Sequence, residues 1–138
     1  MSNEYTVILT HKRETIGYAV DSEDAVLAAQ RTHAVYPGCK IHCIHYSNIP
    51  GRYALRSESE SQGSETQAGW WSGTFGWTDL DTSSRFNLDE VRATPMPLSI
   101  GMDAHWKFVA DMNTVSAHAA RKIHSLARSI IPKAHWAF

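Results

Sequence analysis

The chain has 138 residues, of which 43% are hydrophobic and 20% charged, the proportions of one ordinary globular domain. Two cysteines make no disulfide framework, no run of about 18 apolar residues offers a membrane span, and Met1-Ser2-Asn3-Glu4 lacks the basic-then-apolar layout of a signal peptide. The expectation is a single cytoplasmic domain over 1–138, with reduced thiols, no membrane association and no cofactor. The net charge of −1 is a sum of unlike parts: two basic against eight acidic residues over 57–104, and five basic against one acidic over 105–138.

Tyr5 to Leu9 and Ile16 to Val20 are β-rich apolar runs separated by the polar stretch from Thr10 to Thr15, and they read as a hairpin. Asp21 and Ser22 are helix-capping residues, followed by acidic Glu23 and Asp24 and an alanine-rich run, so a helix is expected over about 22–35. Pro37-Gly38 ends it, and Lys40 to Tyr46 reads as a third strand. Residues 1–56 thus form a ββαβ unit. Residues 57–68 read as a mobile acidic loop, because Ser57 to Gln67 contains no large apolar side chain. Residues 69–113 follow as an aromatic hairpin turning at Ser72-Gly73-Thr74, then a brief helix from Leu88 opened by the capping box Asn87-Leu88-Asp89-Glu90 and stopped by Thr94-Pro95. In 114–138, Val115, Ala119, Ile123, Leu126 and Ile130 fall within about 80° of arc at 100° per residue. That is an amphipathic helix with His118, Arg121, Ser125 and Arg128 on its other side, ended by Pro132. The fold class is therefore α+β, a small antiparallel sheet with a C-terminal amphipathic helix.

Chemistry is sparse. Cys39, His42, Cys43 and His45 are the densest group of metal-ligand types, and a regular strand would put Cys39, Cys43 and His45 on one face. Its two cysteine Cα atoms would stand roughly 13 Å apart, too far for one zinc or one disulfide. A metal-dependent enzyme built on Cys43, His45 and a distant His105 is the least favoured reading, and no metal ligand is assigned. The serine in Trp70-Trp71-Ser72-Gly73 lacks the G-x-S-x-G context of a nucleophile elbow, and no glycine pattern cradles phosphate. Asp79, Asp81, Asp89 and Glu90 read as loop and cap residues. The chain is not expected to be an enzyme.

The run W-W-S-x-x-x-G-W at Trp70 to Trp77, the acidic Asp79-Leu80-Asp81, Phe86, then Pro97-Leu98 and Trp106 resemble a layout in small uncharacterised proteins encoded by phages and plasmids. The resemblance implies a class of tasks, inhibition of a host defence complex among them, and carries no catalytic residue. With charge segregation and no catalytic motif, the expected function is a non-enzymatic, anti-CRISPR-like inhibitor that binds a host protein or nucleoprotein complex. Its partner-binding residues are expected to be His118, Arg121, Ser125, Arg128, Lys133, Trp70 and Trp77. The alternative is a nucleic-acid-binding accessory protein, in which basic residues such as Arg121, Lys122, Arg128 and Lys133 meet phosphates and an aromatic from 70–77 stacks on a base.

Overall fold

The computed structural model describes residues 2–62, 68–111, 129–130 and 132–137. Strands β1 (Asn3–His11) and β2 (Glu14–Ser22) pair antiparallel along their whole length, from Asn3 opposite Ser22 to His11 opposite Glu14. The hairpin is longer than its apolar runs, and its turn is only Lys12-Arg13, with φ of 51° and 70°. Two left-handed residues match the twist of the strands they join, at a cost of roughly 1 kcal/mol for each residue that is not glycine.

Because β2 continues to Ser22, helix α1 (Ala25–Val35) starts later than the sequence alone implies. Its cap is Asp24, whose carboxylate accepts a 2.8 Å hydrogen bond from the Leu27 N–H. Ala25, Ala28, Ala29 and Thr32 form its buried face, and these small side chains let the helix lie close on the sheet. Gly38 turns the chain at φ 79°. Strand β3 (Lys40–Tyr46) then pairs antiparallel with β1, completing a sheet of order β2-β1-β3. A bulge interrupts this pairing: Ile8 stands opposite Cys43 and Leu9 opposite Ile41, leaving His42 as the extra residue.

The second sheet is antiparallel as well, its strands lying side by side in the order Gly76–Thr78, Trp70–Ser72, Gly51–Arg56 and His105–Ala110. Its strands are β4 (Gly51–Arg56), β5 (Trp70–Ser72), β6 (Gly76–Thr78) and β7 (His105–Ala110). β4 and β7 were not anticipated from the sequence. Where a loop was expected, Glu58–Gln62 form helix α2. Ser57 opens it by accepting from the Glu60 N–H at 3.1 Å, and Glu58 and Glu60 sit where the helix dipole favours anions. Helix α3 (Leu88–Ala93) has the expected capping box between Asn87 and Glu90.

The molecule is thus an α+β protein with antiparallel sheets and few helices. On one face of the first sheet, Tyr5, Val7, Leu9, Ile41 and Ile44 pack with Ala25, Ala28 and Ala29 of α1 and with Trp136. On the other, Ile8 and Cys43 pack with Tyr53, Leu55, Val91 and Trp106 of the second sheet and α3. The expected helix over 114–131 falls almost wholly outside the described residues, as do His118, Arg121, Ser125 and Arg128. No helix among the described residues is long and apolar enough to cross a membrane.

Candidate functional site

Between α3 and β7 the chain runs without helix or strand, and in it exposure alternates. Met96, Leu98 and Ile100 point outward while Pro97 and Ser99 are half-buried. Leu98, Ile100 and Met102 are 85%, 72% and 84% exposed. From Met96 to Ile100 this period of two puts the apolar side chains on one side as a strip, and the chain then turns, the Met102 N–H donating to the Ser99 carbonyl at 3.1 Å with φ 51° at Met102. Pro95 and Pro97 stiffen it by fixing φ.

The strip is held from behind by hydrogen bonds. The Trp77 indole N–H donates to the Leu98 carbonyl at 3.1 Å, the Ile100 N–H to the Glu60 carboxylate at 2.7 Å, and the Gly101 N–H to the Ser59 hydroxyl at 2.8 Å. Gly101 suits this approach, since a Cβ there would crowd the Ser59 side chain at 3.0 Å. The anchor is Asp103. Its carboxylate accepts from the hydroxyls of Ser57 (2.6 Å), Ser59 (2.7 Å) and Ser99 (3.0 Å) and from the Ser59 N–H (2.9 Å). Partial burial alone would raise the carboxyl's pKa, but the serine hydrogen bonds hold it well below the usual carboxylate range. The serines donate to the carboxylate, and the neighbouring His105 gives its Nδ1–H to the Asp103 carbonyl (2.9 Å), an arrangement that fixes the loop.

A second polar group lies between the sheets. His42 Nδ1 accepts from the Trp106 backbone N–H (3.2 Å), which leaves the proton on Nε2 to donate to Thr10 Oγ1 (2.6 Å). His45 donates Nδ1–H to the Tyr46 carbonyl (2.8 Å), accepts from the Tyr53 hydroxyl at Nε2 (2.6 Å) and stacks on Phe108 at 3.7 Å. Burial lowers the pKa of His42 and His45 to about 4 and that of His105 to about 3. Burial likewise pushes the Cys43 thiol up to about 12, so it is inert as a nucleophile.

The expectation that Cys39, Cys43 and His45 share a face is corrected by the bulge at His42. Cys39 lies in the α1 core and Cys43 in the layer between the sheets. Both cysteines are free thiols, and among the described residues no group of three or more His, Cys, Asp or Glu is placed to hold a metal. Trp70 is half-buried under the Arg56 guanidinium, 5.1 Å from its ring centroid. Trp77 is half-buried and meets Trp71 edge to face at 5.2 Å, while Phe75 at the hairpin tip is 71% exposed. Lys133 is exposed in a single 3-10 turn, Lys133–His135, away from the strip. Of the expected binding residues that are described, Trp70, Trp77 and Lys133, Trp77 is the one that touches the strip. The strip itself was missed, although Pro-Met-Pro-Leu-Ser-Ile carries apolar alternation after a helix stop. The Asp103 anchor leaves no such trace, since Ser57 and Ser59 lie 46 and 44 residues away in the chain.

Comparison with family models, with characterised proteins and with solved structures returns no match.

Proposed function

We propose that this protein is a non-enzymatic binding module that docks on another protein through the outward face of Met96, Leu98, Ile100 and Met102. The observation that supports this reading is the joint exposure of large apolar side chains on a loop fixed from behind by Asp103, Glu60 and Trp77. Contiguous exposed apolar groups mark interaction sites, and a loop already held in one conformation loses less entropy on binding. Methionine adapts to varied apolar partners, which suits both ends of the strip. Inhibition by occupancy of a host protein or nucleoprotein complex is the task we propose for it, and that part rests on the resemblance to phage and plasmid proteins alone.

The test is a photo-crosslinking residue at position 98, with one at exposed Glu23 as control, in cells producing the protein. A discrete adduct from position 98, absent from position 23 and lost when Ile100→Asp is added, supports the reading. Equal labelling from both positions, or an adduct indifferent to Ile100→Asp in a variant of unchanged thermal stability, overturns it.

A further inference from the structure

The strip ends beside a groove with a different chemistry. An open groove of about 750 Å³ separates the Lys12-Arg13 turn from the end of α3, and Met96 shares its walls with Arg13 and Arg92. Arg13 makes no ion pair among the described residues, and Arg92 reaches Asp89 only at 3.8 Å, where that carboxylate is 93% exposed. Glu14 also lines the groove, leaving two guanidinium groups against one carboxylate. Arg13 is held at the groove by the two-residue turn Lys12-Arg13. Asparagine and glycine fill a two-residue hairpin turn without strain, yet here both left-handed positions carry cations. At the far end of the strip the charge is a carboxylate, that of Glu60, which holds the Ile100 N–H, while Glu58 is ion-paired with Arg56 at 3.2 Å.

We infer that the groove receives carboxylate side chains, and that the partner segment lying on the strip is extended, apolar at alternate positions, and acidic at the end that meets Arg13 and Arg92. This rests on the docking reading above. Guanidinium forks match carboxylates in two parallel hydrogen bonds, and an extended partner repeats its side chains at the spacing of Met96, Leu98 and Ile100. A nucleic acid would bring phosphates to the same arginines but also to Glu14 and Glu60, and its backbone has nothing to place on Leu98 and Ile100.

Fluorescence anisotropy tests this with the labelled peptide EELSLSL, its reverse LSLSLEE, the corresponding lysine peptides KKLSLSL and LSLSLKK, and a single-stranded oligonucleotide. One acidic peptide should bind at least about tenfold more tightly than its lysine counterpart, with affinity falling as salt rises. The double variant Arg13→Gln with Arg92→Gln should remove that advantage, and Leu98→Ser should weaken acidic and lysine peptides alike. Failure of both acidic peptides to bind at about 1 mM, equal binding of the lysine peptides, or arginine-dependent binding of the oligonucleotide alone overturns the inference. If Leu98→Ser weakens binding and the arginine variant does not, the docking reading stands and the carboxylate site falls. If only the arginine variant acts, the carboxylate site stands and docking on the strip falls.

Discussion

The two faces of the first sheet are covered by different chemistry. Against α1, the sheet presents Tyr5, Val7, Leu9, Ile41 and Ile44 to alanines, and apolar contact does nearly all the joining. Against the second sheet, it presents Ile8 and Cys43 together with His42 and His45, whose ring nitrogens are committed to Thr10, Trp106, Tyr46 and Tyr53. An apolar layer tolerates any arrangement of similar volume, whereas hydrogen-bonded rings accept one register and one protonation state. The second interface is therefore the more specified and the more sensitive to pH.

Acid should break that layer with the largest effect. In the unfolded chain these histidines take up protons near 6.5, while in the folded protein His42 and His45 resist to about 4 and His105 to about 3. Their stabilising contribution is complete above about pH 6.5 and is lost as pH falls towards about 4. Each is worth on the order of 3 kcal/mol, and together they rival the roughly 5–15 kcal/mol total of a domain. Circular dichroism and tryptophan emission should report loss of the fold before pH 3; a native spectrum there would refute the assignment of three buried neutral rings.

Next in size is truncation within the two layers. Trp106→Ala removes a fully buried indole from the histidine-containing side and should cost about 3–5 kcal/mol in urea unfolding, against about 0.5–1.5 kcal/mol for Ile41→Val on the helix side. His42→Leu keeps volume but leaves the Trp106 N–H without its acceptor, for a loss of about 1–3 kcal/mol at pH 7. The same variant should lose less stability than the wild type between pH 7 and pH 5, since one titrating ring is gone. An unaltered pH dependence would mean that His42 is not the neutral acceptor described.

Smallest should be Leu98→Ser. The side chain is 85% exposed, so stability should move by no more than about 0.5 kcal/mol while binding to the partner weakens. A large drop in melting temperature would place Leu98 in the core of the fold and remove it from the candidate surface.

Local order was legible in the sequence. The first hairpin, α1, β3, the aromatic hairpin, whose turn lies one residue later than expected at Gly73-Thr74-Phe75, and the capped α3 each follow from neighbours in the chain, because caps, turns and side-chain periods act over a few residues. Even the unexpected α2 carried its signal, Ser57 followed three residues later by Glu60, overlooked because its surroundings are so polar. Tertiary structure decided the rest. The bulge at His42 depends on β1 and on Trp106, 64 residues away, and the pairing of β4 with β7 joins segments about 50 residues apart. The outward direction of Leu98 and Ile100 depends on an aspartate held by serines from another element. Apolar alternation says that one side of a segment differs from the other. Which side meets water is determined by long-range partners that periodicity does not record.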